Sequence, residues 1–399
     1  MKFLIKNVKL TDHRGSKISD LLIEDEIIKK IGDNISADGD IKVIDGTGKV
    51  LMPSFVDLHV HFRDPGYTYK EDIESGSRAA LKGGYTICYA MANTKPVCDN
   101  MEVYNYIREK SKDLDLIDLY QNIAVTKNLE GKELTDFGSF GDDVKFISDD
   151  GRGILSNHVM NQACLEAKKH NIGIMVHGED PEISPYDYRL AEDIITLRDS
   201  YLSKITGAKI HFSHVSTRGS VEIIRDYKAQ GANITCETTP HHIYLAGESY
   251  RVNPPIREKA DNEALIQGLK DGTIDCISTD HAPHSKEDKE KGAPGMVGLE
   301  TAFATSYTAL VDSGNLSLEK LSQVMAYNPA KILGLDHGEI KEGARADLVL
   351  VDCEEEYIVS QADIVSKSKN SPFIGRKLKG KVLMTFRKGR LMYGGKNWL

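Results

Sequence analysis

The residues of this chain best suited to chemistry begin in the run Pro53-Ser54-Phe55-Val56-Asp57-Leu58-His59-Val60-His61-Phe62-Arg63-Asp64-Pro65-Gly66. Val56, Leu58 and Val60 alternate with Asp57, His59 and His61, and that period of two predicts a β-strand carrying both imidazoles on one face. Two histidines one residue apart at a strand end can hold a divalent cation, with Asp57 orienting a ligand from behind. An isolated His-x-His also suits an ordinary strand, so the reading depends on what else reaches the same place. Asp150, His177, His214 and Asp280 are the further candidates.

For residues so far apart to converge, the chain needs a fold that brings many strand ends together. Apolar or β-branched runs at 54–61, 85–91, 116–122, 144–148, 172–177, 209–214, 232–237 and 274–279 are separated by helix-like segments. Among these are Ile73 to Lys82, Ser156 to His170, Thr217 to Gln230 and Asn262 to Leu269, several followed by glycine where a helix would stop. Eight strand–helix units predict an α/β fold, a (β/α)8 barrel of the TIM type, in which chemistry gathers at the C-terminal strand ends. Those ends carry His59 and His61, Asn93, Asp150, His177, His214 and Asp280. The short strand-and-turn runs of residues 1–52 and 338–399 predict a small β-sandwich domain formed from both chain ends, beside a barrel over 53–337.

Composition narrows the class. With 399 residues, 60 acidic against 51 basic and a net charge of −9, the chain shows no basic stripe, which argues against nucleic-acid binding. The six cysteines contain no Cys-x-x-Cys pair and fit reduced thiols in a cytoplasmic protein. No run approaches the ~20 apolar residues of a membrane span, so no membrane partner is expected.

Taken in order, Asp57-x-His59-x-His61-x-Arg63-Asp64-Pro65-Gly66, Met91-Ala92-Asn93-Thr94-Lys95-Pro96, Ser148-Asp149-Asp150-Gly151, Val176-His177-Gly178-Glu179, Ser213-His214-Val215-Ser216-Thr217, Asn253-Pro254-Pro255-Ile256-Arg257 and Ser278-Thr279-Asp280-His281-Ala282-Pro283-His284 resemble the motif series of the bacterial dihydroorotases, within the amidohydrolase superfamily. The resemblance runs over nearly the whole chain. It implies two zinc ions per subunit, one on His59, His61 and Asp280, the other on His177 and His214, with Asp150 bridging. Such a pair lowers the pKa of a shared water from ~16 toward ~7, and Asp280 is implied as the catalytic acid–base. Many superfamily members bridge their metals with a carboxylated lysine instead, and Lys145 on the same strand stands as the alternative to Asp150.

The resemblance also implies a substrate clamp of Arg63, Asn93 and His284, with Asn253 bonding the ring. The activity implied is the reversible cyclisation of N-carbamoyl-L-aspartate to dihydroorotate. The competing readings are another cyclic amidohydrolase, such as an allantoinase or dihydropyrimidinase, and a non-catalytic scaffold for aspartate transcarbamoylase. Arg63 argues against the first, because a ring without a carboxylate would leave that charge unpaired. Homodimers and association with aspartate transcarbamoylase are both compatible with the resemblance. The segment 285–298 reads as a solvated loop whose Gly-Met-Val-Gly end could cover substrate. His211, three residues before His214, is expected to face away from the metals.

Overall fold

The runs rich in β-branched and aromatic side chains become eight parallel strands, described here from a computed structural model covering residues 2–37 and 39–394. They are Phe55–Val60, Tyr85–Ala90, Asp118–Gln121, Phe146–Ser148, Gly173–Val176, Ile210–Phe212, Ile234–Thr238 and Cys276–Ile277. Most positions in them are buried, as expected where a parallel sheet is covered on both faces. The first three pair in order as one sheet and the remaining five as another. Parallel bridges between Ile123 and Ile147 and between Val60 and His281 join the two sheets at both edges.

Helices follow the strands where the capping chemistry directs. Asp72 accepts from the Ser75 amide to start Ile73–Lys82, Ser156 starts Asn157–Lys169, and Thr217 starts Arg218–Ala229. Lys259–Asp271 begins three residues before the expected Asn262 and stops at Gly272, whose φ of 83° is left-handed. Two further long helices are Met101–Leu114 and Tyr188–Thr206, and shorter helical stretches between Leu299 and Ile332 follow the eighth strand.

The strict alternation expected of the first strand does not hold to its end. Val56 and Leu58 pack with Ile87, Tyr89 and Phe146, whereas Val60 joins the cluster of Phe55 on the other side. The pairing register shifts between Asp57 and Val60, and such an irregularity reverses which face the next residues occupy. His59 and His61 still converge on one site.

Both chain ends enter one eight-stranded sheet. Leu348–Val351 runs antiparallel to Val50–Pro53, and five N-terminal strands share the sheet with three from the C-terminal stretch. Its own apolar core includes Phe3, Ile5, Val8, Leu348, Met384 and Phe386. Of the run from Gly338 to Asp352, only the part from Leu348 onward is strand. The outermost positions of the two terminal stretches, Met1 and 395–399, lie outside the described residues.

Candidate metal centre

Asp150, just beyond the fourth strand, is the point at which the distant ligands meet. Its Oδ1 lies 3.4 Å from His59 Nε2, 3.4 Å from His177 Nδ1 and 3.5 Å from His214 Nε2, and its Oδ2 lies 3.6 Å from His61 Nε2. Two ligand sets result, His59 with His61 and Asp150, and Asp150 with His177 and His214. Asp280 approaches the first set, its Oδ1 3.1 Å from His61 Nε2 and 3.6 Å from His59 Nε2. All six side chains are buried.

Two atoms test whether this cluster suits cations. His59 Nε2 and Asp150 Oδ1 are buried and make no hydrogen bond. A buried polar atom without a partner is costly, and here both face a space ringed by imidazole nitrogens and carboxylate oxygens, the donor set of a borderline-soft divalent ion. The residues therefore fit a metal pair. Lys145 lies on the exposed side of its strand with Nζ bonded to the Asp142 carbonyl, away from the cluster. Asp149 turns to Thr126.

Sequence reasoning expected Asp57 to orient a ligand. The carboxylate accepts from the Thr279 amide and hydroxyl at 3.1 and 2.6 Å, and so fixes the backbone immediately before Asp280. The carboxylate behind His59 is a residue not singled out from sequence, Glu237 at the end of the seventh strand. Its Oε1 is 3.1 Å from His59 Nδ1 and its Oε2 is 3.3 Å from His211 Nε2. Burial opposes charge on Glu237, but the adjacent imidazoles of His211 and His59 prevail and hold its pKa at about 2. The stabilisation is present above the ordinary glutamate value of 4.5 and lost as pH falls through about 2. Its signal in the sequence was one carboxylate within the predicted strand 232–237. His211 lies outside both ligand sets, but it does not face away as expected: it turns to Glu237 and through it belongs to the same buried chain of groups. Glu179 similarly holds His177, its Oε2 3.0 Å from Nε2.

Because an orienting carboxylate typically adds ten- to a hundred-fold to metal affinity, Glu237→Gln should weaken metal binding by about that factor. Competition against a chromophoric chelator measures it. Unchanged affinity in a folded variant would mean that His59 needs no such support.

Above the cluster opens a cavity of about 190 Å3. Arg63, Asn93, Asn253 and His284 all line it beside His61, Asp150, His177, His214 and Asp280. Its size is below the ~300–1,000 Å3 of drug-sized pockets and suits a single small ring. Asp64, next to Arg63 in the chain and the carboxylate it could otherwise have paired with, is engaged by Lys110 at 2.7 Å. Arg63 lies 3.3 Å from His284 Nε2, and Lys70 Nζ lies 3.4 Å from His284 Nδ1. Burial, then Arg63 and Lys70, push the His284 pKa down to about 3, so the ring is neutral near pH 7. Lys70 is a further cation that sequence reasoning did not bring here. Asn93 is already engaged between His61 Nδ1 at 2.9 Å and Asp150 Oδ2 at 3.3 Å, and the Asn253 amide donates to Glu179 at 2.8 Å.

Arg63, His214 and Asp280 have φ of 59°, 37° and 47°, a region that non-glycine residues seldom occupy. Such conformations persist where surrounding bonds fix a side chain's aim. The segment 285–298 proves less loop-like than expected: Met296 and Val297 are buried, and the Ala282 amide donates to the Met296 carbonyl. Gly295 and Pro294 nevertheless line the cavity.

Parallel strands in chain order, with imidazoles and carboxylates gathered beyond their C-terminal ends, define a class of metal-dependent hydrolase folds. A model of the amidohydrolase family matches residues 50–392. The chain is 49% identical to a dihydroorotase of Clostridium botulinum (strain Eklund 17B / Type B), over 98% of this chain and all of that one. It is 40% identical to a dihydroorotase of Aquifex aeolicus (strain VF5), over 98% and 99% of the two chains. Among solved structures, the L-hydantoinase (dihydropyrimidinase) of Arthrobacter aurescens superposes with a TM-score of 0.88 at 26% identity, covering 100% of this chain and 97% of that one. The dihydropyrimidinase of Brevibacillus agri NCHU1002 shares the fold with a TM-score of 0.89 at 23% identity, covering 100% and 96%. The chain belongs to the amidohydrolase family and, within it, to the dihydroorotases.

Proposed function

We propose that this protein interconverts N-carbamoyl-L-aspartate with dihydroorotate and water, using two zinc ions within a closed (β/α)8 barrel. The single observation that carries the choice of substrate is the Arg63 guanidinium, which lines the metal cavity with no carboxylate within 4 Å among the described residues. Arg63 is half-buried; a cation partly withdrawn from water with no anion beside it is costly unless a substrate anion meets it, and a planar fork matches a carboxylate. His59, His61 and Asp280 would hold one ion and His177 and His214 the other, with Asp150 belonging to both sets. The pair, when bound, lowers the pKa of water and polarises the amide carbonyl.

The protein groups do the remaining work. In the hydrolytic direction Asp280 accepts the proton of the attacking water and returns it to the departing ring nitrogen, which leaves as the amide of the carbamoyl group. Arg63 grips the substrate carboxylate with His284 beside it, and Asn253 hydrogen-bonds the ring through its remaining amide capacity. Asn93 faces the same carboxylate while steadying His61 and Asp150. The barrel spans 53–337 and the terminal sheet combines 1–52 with 338–399, a division supported by the separate apolar core of that sheet. No helix among the described residues is long and apolar enough to cross a membrane, and the six buried, unpaired cysteines support a reducing cytoplasm.

The likeness to solved dihydropyrimidinases favours, as a second reading, hydrolysis of rings without a carboxylate. Offering carbamoyl aspartate, dihydrouracil, hydantoin and allantoin to the zinc-loaded protein separates the two. Turnover of dihydrouracil in preference to carbamoyl aspartate would sink the first reading, and no turnover of any would point to a scaffold. Arg63→Lys keeps the charge but loses the fork, so KM for carbamoyl aspartate should rise about ten-fold or more, with zinc content unchanged. A parental kcat/KM in that variant would place the clamp elsewhere.

A further inference from the structure

His284 reaches the cavity with a cation at each of its ring nitrogens. Arg63 Nη2 lies 3.3 Å from Nε2, and Lys70 Nζ lies 3.4 Å from Nδ1. Neither neighbour can accept a hydrogen bond, because a guanidinium and an ammonium are donors only. Burial and these two charges keep the ring neutral near pH 7, and a neutral imidazole has one N–H and one accepting nitrogen. Only one of the two contacts can therefore be a hydrogen bond. At the other nitrogen an N–H must face a cation.

The two sides differ in what can relieve that opposition. The Lys70 side chain is only 13% exposed, and its Nζ is held by Asp288 Oδ2 at 3.2 Å and by the rings of Tyr67 and Tyr69, whose centres lie 5.4 and 5.5 Å away. The Lys70 carbonyl accepts from the Ser368 hydroxyl at 2.7 Å, and the His284 amide donates to Asn370 Oδ1 at 3.1 Å, so one segment of the C-terminal stretch fixes both residues. Lys70 stands behind the ring, outside the residues that line the cavity. Arg63 stands on the cavity side, its Nε donating to the Pro283 carbonyl at 3.4 Å, with room beside it for a ligand. An N–H turned toward Lys70 would stay opposed to the ammonium. One turned toward Arg63 meets an acceptor as soon as an anion enters the cavity.

We propose that Lys70 is a positioning residue: by donating to Nδ1 it fixes His284 as the Nε2–H tautomer, so that His284 and Arg63 both donate to one carboxylate of the substrate. The inference rests on the substrate reading above and deepens it. A carboxylate offers about four lone-pair sites, enough for the guanidinium fork and one imidazole N–H. Its charge turns the opposition between that N–H and the guanidinium into two bonds to a common acceptor. A ring without the carboxylate leaves the opposition in place, so His284 adds to the discrimination that Arg63 provides.

The test uses the full zinc-loaded chain. Lys70→Met keeps the reach of the side chain but removes the donor and the charge, which lets Nε2 accept from Arg63 instead. KM for carbamoyl aspartate should rise about ten- to a hundred-fold, the worth of a hydrogen bond to a charged group, while kcat and zinc content stay near the parent's. Lys70→Arg restores a charged donor and should recover most of the loss. Neutron diffraction from zinc-loaded crystals of the parent, grown near neutral pH and exchanged into deuterated water, should place deuterium on His284 Nε2 and none on Nδ1. That measurement needs no substrate, so it decides the tautomer whichever ring the protein hydrolyses, whereas failure of the parent to turn over carbamoyl aspartate strikes the substrate reading. Deuterium on Nδ1, a parental KM in a folded Lys70→Met variant, or a kcat that falls as far as KM rises would each overturn the proposal.

Discussion

Asp280→Asn should lower the rate of dihydroorotate hydrolysis by about a hundred- to ten-thousand-fold while zinc and substrate still bind. Burial alone would favour the neutral acid, but the hydrogen bond with His61 and the field of His59 hold the Asp280 carboxyl well below the usual carboxylate range. The group is therefore a carboxylate at neutral pH, lining the cavity where a substrate proton must be handled. Asparagine nearly preserves the shape and keeps one oxygen able to touch a metal, but an amide is no base. Zinc content by elemental analysis, substrate binding and single-turnover rate separate holding from proton transfer. The pH–rate limb that reports deprotonation should disappear or shift. A variant with the parent's rate and limb would give the proton to another residue, His284 first.

Asp150→Ala should be still more damaging, because the lost carboxylate belongs to both ligand sets. Zinc content should fall from two ions toward none, and turnover to below about one-thousandth of the parent's. His177→Ala or His214→Ala should cost one ion, since each belongs to only one of those sets. Lys145→Ala supplies the contrast: an exposed lysine bonded to the Asp142 carbonyl should matter to neither zinc nor rate. Loss of zinc in Lys145→Ala with retention in Asp150→Ala would reverse the bridging assignment.

The helix Tyr188–Thr206 shows how a pattern in the chain can mislead without the rest of the fold. Its periodicity announces an amphipathic helix, and the ordinary inference would place Leu197 and Tyr201 in the core. Only the neighbouring Ser216, Thr217 and Arg257, which come to it from later in the chain, explain why Glu192 is the buried side.

Local chemistry by itself determined where the strands and caps lie and which groups end the strands, because side-chain period, capping residues and glycine stops act over a few residues. The ordered motifs, through the family resemblance they carry, supplied the six candidate ligands and Arg63. Tertiary structure decided what depends on approach between distant segments. The register shift after Asp57 moved Val60 to the other face, for pairing with the neighbouring strand sets that count. Glu237 became the support of His59 and the link to His211 only when the sixth and seventh strands paired and the fold brought the first strand's His59 within reach. Asp57 was shown to grip Thr279 rather than an imidazole, and Arg63 was freed of Asp64 because Lys110 arrived from another helix. A carboxylate takes whichever donor the fold brings within about 3 Å, and no spacing along a single strand contains that distance.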